Sequence, residues 1–127
     1  MSQENVEIVR RAYTFLRLRD WVALSRDAHR DFVIHTPLQG SYRGPGAAQR
    51  FVEDQTGTFE SWTLEPRGFY PREDWVKVYL GSRRRLRDSD AEILMQIAHV
   101  WMLRDRKLLS LHHFVSPADL VAGFGLR

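Results

Sequence analysis

The sequence contains no cysteine and no hydrophobic run long enough to cross a membrane. The absence of cysteine excludes thiol catalysis and thiolate metal sites. The N-terminal residues lead straight into a charged amphipathic pattern without the apolar region of a signal peptide, so we expect a cytoplasmic protein with no membrane contact. Because 127 residues can bury a core without disulfide or metal support, we expect a single domain over residues 1–127.

Neither sign of charge dominates the sequence, since nineteen lysines and arginines face sixteen aspartates and glutamates. Such a balance argues only weakly for a nucleic-acid partner. The strongest local exception is the arginine run Arg83–Arg87, which is followed at once by Asp88, Asp90 and Glu92. Successive strand residues face opposite sides of a sheet, so these arginines cannot all point one way. We therefore favour a solvated sheet rim, or an anchor for an acidic ligand or a dimer partner, over a nucleic-acid site.

Helical spacing of apolar residues dominates the N-terminal part of the chain. It predicts a first helix over Glu4–Arg19 and a short second helix that begins after the capping residue Asp20. The apolar segment Asp31–Thr36 predicts a strand, which ends because the proline that follows cannot donate a further ladder hydrogen bond. Gln39–Gly46 contains three glycines and is interpreted as a loop, after which a third helix begins near Ala47.

The pattern changes to an alternation of period two in the second half of the chain. It predicts four strands, at Trp62 and Leu64, Trp75–Leu80, Glu92–Leu103 and Leu108–Val115. A capping signature that starts at Ser116 predicts a last short helix. The resulting order, α-α-β-α-β-β-β-β-α, indicates an α+β domain in which one curved, mixed or antiparallel sheet folds around the first helices.

The segment 97–116, IAHVWMLRDRKLLSLHHFVS, predicts a hairpin that carries histidines where apolar residues are expected. In both arms the odd-numbered residues are the more apolar set, so we expect them to share the buried face. If they do, His99 lies opposite His113 and the turn is a three-residue loop, Asp105–Lys107. A two-residue turn would instead pair His99 with His112. On the first interpretation, His112 lies on the other face and is a solvated surface residue.

Five features in the right order resemble a known family: the order of elements and the segments NVEIVRRAYTFLRLRDW, DFVIHTP, YRGPGAAQRFV and AHVWMLRDRKLLSLHHFVSPADL. From Glu4 to Ala122, the chain is similar to SnoaL-like proteins of the nuclear transport factor two-like superfamily. The resemblance implies a cone-shaped α+β domain with a pocket at its open end. The superfamily includes ketosteroid isomerases, polyketide cyclases, scytalone dehydratase, epoxide hydrolases and many non-catalytic binders. Its members are commonly homodimers, often through the sheet.

The resemblance gives a mixed result for the catalytic residues of ketosteroid isomerases. The general base of those enzymes is a carboxylate at the end of strand one, where this chain has Thr36, which cannot take up a proton at neutral pH. Their oxyanion-stabilising aspartic acid corresponds to His99, and their helix-one tyrosine lies one residue from Tyr13 in an ungapped alignment. Scytalone dehydratase uses a pair of pocket histidines, and His99 with His113 is similar in type.

These considerations predict His99, His113 and Tyr13 as catalytic residues. If both histidines face the pocket, burial and mutual repulsion should keep at least one of them neutral at pH 7, able to act as a base while the other donates. The structural alternative is a core histidine satisfied by one hydrogen bond. The residues predicted to line the pocket are Ile34, Thr36, Trp62, Trp75, Ile97, Trp101, Leu111 and Val115.

The predicted function is cofactor-free acid–base chemistry, such as isomerisation, cyclisation or dehydration, on a small hydrophobic ligand that is carbonyl-bearing or polycyclic. We expect a homodimer through the sheet, no cofactor and no metal, although His99, His113 and a carboxylate would suffice for a three-ligand metal site. Two alternatives stay open. One is a non-catalytic module that binds a ligand or a protein, which the loss of the strand-one carboxylate favours. The other is a nucleic-acid binder that uses the run Arg83–Arg87.

Overall fold

The computed structural model describes residues 2–36 and 40–114. Within them, the helices are α1 (Ser2–Leu18), α2 (Trp21–Asp27) and α3 (Ala47–Thr58). The strands are β1 (Ala28–Thr36), β2 (Gly40–Arg43), β3 (Phe59–Arg72), β4 (Trp75–Leu86), β5 (Glu92–Arg104) and β6 (Lys107–Phe114). The predicted C-terminal helix and the predicted pocket residue Val115 lie outside the described residues.

The strands form one curved sheet in the order β2-β1-β6-β5-β4-β3. Neighbouring strands are antiparallel except β1 and β6, which run parallel, so the sheet is mixed. Helix α1 packs against β3, β4 and β6, and α3 packs against β1, β2 and β3. Both helices cover the same face, which is called the inner face below. The predicted α+β class, with one sheet folded around the helices, is confirmed.

Helix α1 ends in a sharp turn that brings the chain back along the sheet. Its buried apolar stripe includes Val6, Val9, Ala12, Tyr13 and Leu16. At its end Arg19 has a left-handed φ of 57°, and the Asp20 N–H donates to the Phe15 carbonyl at 2.9 Å, which is the Schellman arrangement. Asp20 then caps α2 as predicted, because its carboxylate accepts from the Ala23 N–H at 3.1 Å.

A short strand, β2, occupies part of the segment that the sequence predicted to be a loop. Its residues pair antiparallel with β1, so that Tyr42 lies opposite Ile34. Gly40 and Gly44 have left-handed φ values of 78° and 89° and supply the turns at the start and just past the end of the strand. The loop prediction was therefore wrong for Gly40–Arg43, because the glycines mark only its two ends.

The β5–β6 hairpin has the predicted pairing but not the predicted turn. His99 lies opposite His113, as expected from the bulk of the two faces. The turn consists of Asp105 and Arg106, both with left-handed φ, 53° and 64°, as a type I′ turn requires. The predicted three-residue loop is therefore wrong. A two-residue turn continued by a regular ladder would have paired His99 with His112 instead.

A β-bulge at Leu109 reconciles the short turn with the predicted pairing. Leu103 lies opposite Leu108, whereas the next pair along is Met102 with Ser110, so Leu109 is one extra residue in β6. The extra residue reverses the alternation of faces. Leu108 is therefore fully buried and belongs to the main core although its number is even.

The two faces of the sheet carry different clusters. The inner face and the helices enclose the main core, which includes Ile34, Val76, Val78, Leu80, Ile97 and Trp101. The opposite, outer face carries a smaller apolar cluster of Trp75, Tyr79, Ala98, Val100, Met102 and Phe114. Among the described residues, no helix combines the length and the apolar character needed to span a bilayer.

Candidate ligand-binding site

A cavity of about 130 Å³ lies between the inner face of the sheet and the helices. Its walls are mostly apolar and come from all three helices and from β1, β3, β5 and β6. The lining residues are Tyr13, Leu16, Arg17, Arg19, Leu24, Phe32, Ile34, Ala48, Phe51, Val52, Trp62, Thr63, Leu64, His99, Trp101 and Leu111.

The volume of the cavity limits what its enclosed part can hold. An apolar cavity of roughly 150 Å³ in another protein binds benzene. About 130 Å³ therefore accommodates one six-membered ring, whereas a fused ring system needs more space. The polycyclic ligand considered from the sequence would have to extend beyond this volume.

A chain of buried hydrogen bonds starts at the cavity wall and leads away from it into the sheet. The indole Nε1–H of Trp101 donates to the Tyr13 hydroxyl at 2.8 Å. The same hydroxyl lies 2.7 Å from Nδ1 of His99, and Nε2 of His99 lies 2.9 Å from Nδ1 of His113. Helix α1 and strands β5 and β6 thus meet in one continuous polar chain, which is called the Tyr13–His99–His113 chain below.

The direction of these hydrogen bonds is assigned from the indole N–H of Trp101, which can donate a hydrogen bond but cannot accept one. The Tyr13 oxygen therefore accepts from Trp101, and among the described residues Nδ1 of His99 is the acceptor within reach of the Tyr13 proton. A neutral His99 then carries its proton on Nε2 and donates to Nδ1 of His113. We therefore assign the Nε2–H tautomer to both histidines on the logic of the hydrogen bonds.

Burial keeps all three titratable groups of the chain neutral at pH 7. Burial lowers the pKa of His99 well below 6.5, and the neighbouring His113 lowers it further. Burial and, to a lesser extent, Arg84 bring the pKa of His113 to about 4. Burial raises the pKa of Tyr13 well above 10, although the hydrogen bond from Trp101 opposes this shift. At pH 7, therefore, none of these three groups is charged in the absence of a ligand.

Aromatic contacts hold the rings of the chain in place. The Tyr13 and His99 rings are stacked with centroids 5.8 Å apart, and the edge of Trp101 meets Tyr13 at 5.6 Å. Phe51 of α3 packs edge-on against His113 at 5.4 Å. Such packing restricts the ring orientations, and a fixed orientation is what proton transfer requires.

The structure brings most of the predicted site residues together. Those that line the cavity are Tyr13, Ile34, Trp62, His99, Trp101 and Leu111. His113 does not line the cavity and reaches it only through its hydrogen bond to His99.

Three residues that were predicted to line the pocket lie elsewhere. Trp75 belongs to the outer-face cluster, because Val76 next to it pairs with Trp101 and takes the inward position. Ile97 lies on the inner face but is packed into the core away from the cavity. Thr36 ends β1, where its hydroxyl donates to the Gly40 carbonyl at 2.8 Å.

His112 lies on the outer face as predicted, but it is not a solvated residue. Its ring is half-buried and stacks on His35 of the neighbouring strand, with centroids 4.5 Å apart. Burial, with a smaller effect of His35, lowers the pKa of His112 to about 4. The prediction missed this because it rested on the β5–β6 hairpin alone and did not consider the parallel pairing of β6 with β1.

The arginine run is divided between the two faces, as the strand alternation predicted. Arg83 and Arg85 face outward and lie 3.8 and 3.6 Å from the Glu92 carboxylate. Arg84 lies over the ring of Trp62, 5.3 Å from its centroid, and also donates to Gln55. The run therefore does not form one continuous basic surface, which argues against nucleic-acid binding.

Sequence reasoning missed two charged residues at the cavity, Arg17 and Arg19. Arg17 follows Tyr13 by four residues, so helical spacing alone places both on one face of α1. That signal could have identified Arg17. Arg19 carried no such signal, because its left-handed backbone lies beyond the helix.

No group of three metal-ligating side chains occurs in residues 2–36 and 40–114. His99 and His113, which the sequence offered as two of three metal ligands, are hydrogen-bonded to each other. Both of their engaged nitrogens would have to be released before a metal could bind there.

The fold and the site define a small α+β domain that holds a mostly apolar cavity with a buried hydrogen-bonded chain reaching its wall. Residues 9–111 match the SnoaL-like domain family. The chain therefore belongs to the SnoaL-like family, and the resemblance noted in the sequence is confirmed. No curated protein matches the chain significantly.

Solved structures support the same fold. TerC, co-crystallised with polyporic acid, matches with a TM-score of 0.80 at 20% identity, over 94% of this chain and 96% of TerC. An NTF2-like protein of unknown function from Burkholderia pseudomallei matches with a TM-score of 0.80 at 18% identity, over 96% of this chain and 97% of that protein. A protein with a ketosteroid isomerase-like fold from Catenulispora acidiphila, in complex with trimethylamine, matches with a TM-score of 0.75 at 16% identity, over 95% of this chain and 94% of that protein.

Proposed function

We propose that the protein catalyses cofactor-free acid–base chemistry on a small carbonyl compound bound in the cavity, as an isomerase, cyclase or dehydratase. The observation that carries this proposal is the Tyr13–His99–His113 chain, of which Tyr13 and His99 lie on the wall of a mostly apolar cavity. Perturbed titratable groups in a cavity of this kind are typical of acid–base sites.

Tyr13 and His99 divide the chemistry between them. When a carbonyl compound enters, the Tyr13 O–H turns from Nδ1 of His99 to the carbonyl oxygen of the ligand. The freed lone pair on Nδ1 then takes the proton from the α-carbon, and the electrons of that C–H bond move onto the oxygen as an enolate. His99 returns the proton to another carbon in an isomerisation, or to a departing hydroxyl in a dehydration.

His113 supports the charge that His99 acquires. The Nε2–H of His99 stays donated to Nδ1 of His113 while His99 is an imidazolium, so the positive charge has a hydrogen-bond acceptor. Burial disfavours a lone imidazolium at this site. The enolate formed beside it supplies the missing negative charge, which in a poorly hydrated cavity favours the pair of ions.

The related structures support a small organic ligand. TerC was co-crystallised with polyporic acid, and the Catenulispora acidiphila protein was solved in complex with trimethylamine. In this chain the same fold encloses an apolar cavity of ring size.

The second candidate function is ligand binding without turnover. Two observations favour it: β1 ends in Thr36 rather than in a carboxylate, and both ring nitrogens of His99 are engaged within the protein. A binder of this kind would hold its ligand by the apolar walls and one hydrogen bond.

Hydrogen–deuterium exchange separates the two functions. Phenylacetone and phenylpyruvate each carry one ring and exchangeable α-protons, and proton NMR in D2O measures their exchange against the rate without protein. We expect acceleration of at least about 100-fold, which both His99→Asn and Tyr13→Phe should abolish or nearly abolish. His35→Asn, a histidine change on the outer face, is the matched control. Binding seen by calorimetry without accelerated exchange would establish the non-catalytic binder instead.

We also propose a homodimer that pairs through the outer face of the sheet. The cluster of Trp75, Tyr79, Met102 and Phe114 gives this face apolar side chains that are only partly covered. A cytoplasmic location stays a prediction from the sequence.

A further inference from the structure

The charges around the cavity are all of one sign. Arg17 and Arg19 are the charged residues among the lining side chains of the described chain, and no aspartate or glutamate is among them. We propose that the cavity selects organic anions, specifically single-ring carbonyl compounds that carry a carboxylate, with the ring inside and the carboxylate at Arg17 and Arg19. The carbonyl part of this assignment rests on the proposed function, whereas the anion site does not.

The position of Arg17 suits a ligand that contacts the Tyr13 hydroxyl and the Arg17 guanidinium at the same time. Arg17 follows Tyr13 by one helical turn on α1, a rise of about 6 Å at 1.5 Å per residue. A guanidinium reaches several ångströms beyond its backbone, so a carboxylate separated from the carbonyl by few bonds can contact Arg17 while its carbonyl contacts the Tyr13 hydroxyl. The ring then occupies the apolar space toward Trp62 and Leu111.

The end of helix α1 holds Arg19 near Arg17 at the cavity, and the part of the wall formed by these two arginines is called the rim below. Its left-handed backbone turns the chain at this point, and its guanidinium donates to the carbonyl of Leu16, which itself lines the cavity. A guanidinium has five N–H donors in a planar arrangement, and this hydrogen bond uses one nitrogen. The remaining donors suit the paired oxygens of a carboxylate.

The neighbouring carboxylates do not neutralise these two arginines. On the same helix, Arg11 lies 3.0 Å from Asp27 and forms an ion pair with it. Within residues 2–36 and 40–114, neither Arg17 nor Arg19 has an ion pair of this kind. Asp20, the closest acidic residue in sequence, uses its carboxylate to cap α2. The rim therefore presents net positive charge to whatever enters.

A matched pair of ligands tests the proposal. Phenylpyruvate and phenylacetone share the ring, the methylene and the ketone, and differ in carrying a carboxylate or a methyl group. Isothermal calorimetry and quenching of tryptophan fluorescence, with Trp62 and Trp101 in the cavity wall, give both affinities. We expect phenylpyruvate to bind about tenfold more tightly at low salt, because a hydrogen bond to a charged group at an exposed rim contributes at the lower end of its range. Trimethylamine, a cation at pH 7, should not bind.

Variants of the rim separate the anion site from the rest of the cavity. Arg17→Gln and Arg19→Gln should each reduce the preference for phenylpyruvate, and the double variant should lower it to about twofold or less. Arg11→Gln removes the same charge from the same helix but outside the cavity, so it should leave the preference unchanged. The preference should also fall as salt is raised.

The outcomes distinguish this proposal from the proposed function. Equal affinity for the two ligands, no binding of either, or a preference that survives in the double variant would overturn the anion site. Selective binding of phenylpyruvate without accelerated exchange of its α-protons would support the anion site and reject the enzyme. Accelerated exchange of both ligands with equal affinity would support the enzyme and reject the anion site.

Discussion

Replacing Tyr13 by phenylalanine removes the hydroxyl that joins Trp101 to His99, and the loss of stability can be worked out from the structure. Trp101 is 1% exposed and His99 is 0% exposed. Tyr13→Phe leaves the indole N–H and Nδ1 of His99 without their partner. A buried polar group left without a partner costs about 1–3 kcal/mol. Two such groups predict a decrease of about 2–6 kcal/mol in the free energy of unfolding, which is a large part of the roughly 5–15 kcal/mol of a typical domain.

Urea unfolding at pH 7, followed by circular dichroism, measures this decrease from the shift of the midpoint at constant slope. Tyr42→Phe is the matched control, because the Tyr42 hydroxyl donates to Asp54 at 2.7 Å in a contact that water can replace. Its decrease should be about 0.5–1.5 kcal/mol. If Tyr13→Phe were no more destabilising than Tyr42→Phe, the Tyr13 hydroxyl would not satisfy both Trp101 and His99. The hydrogen bonds of the Tyr13–His99–His113 chain would then be refuted.

Three further predictions use the same measurement or a simple measurement of mass. Burial holds the pKa of His113 near 4 in the folded protein and not in the unfolded chain, so the contribution of this histidine to stability should be full above pH 6.5 and decrease by about 3 kcal/mol as the pH drops through 4. His113→Asn, which keeps an acceptor for His99, should remove this contribution and leave those of His99 and His112, so that stability falls less steeply between pH 7 and 5 than in the wild type; an unchanged slope would contradict the assignment. Leu108→Ala should lower the free energy of unfolding by about 2–5 kcal/mol and Leu109→Ala by much less, because Leu108 is buried and Leu109 is the bulged residue; the reverse order would indicate a three-residue loop. Tyr79→Glu should convert the proposed dimer to a monomer in sedimentation equilibrium, and a wild type that is already monomeric would refute the dimer.

The sequence pattern predicts an element well where one periodicity extends over its whole length. Helix α1 has a helical stripe of four turns, and β5 and β6 carry a clear alternation of bulk, so each was located to within a few residues. Strand β2 has four residues between two turn glycines. An alternation of four residues is too short to be distinguished from a loop, and the strand exists because β1 offers it a partner.

The composition of the site was predictable only in part, because a cavity depends on several elements at once. Tyr13, His99 and His113 were predicted from the resemblance and from the parity of one hairpin, and these depend on little else. The position of Trp75 depends on the register of β4 against β5, which no local pattern fixes. The volume of the cavity depends on how α1 and α3 pack on the sheet, and so the limit of one ring could not be derived from the sequence.

The hairpin shows which of two local signals determines the long-range pairing. Hydrophobic bulk predicts the pairing of His99 with His113. In a regular ladder, turn length predicts the same pairing only for a three-residue loop, whereas the observed turn has two residues. A regular ladder on that turn would have moved His113 to the outer face and exposed Leu111, an energetic loss of several buried side chains. One bulged residue avoids this loss at the expense of a single unpaired position. The face that must be buried therefore fixes the register, and the turn and the bulge adjust to it. For this reason the pairing of the two histidines could be predicted correctly from bulk, although the turn was not.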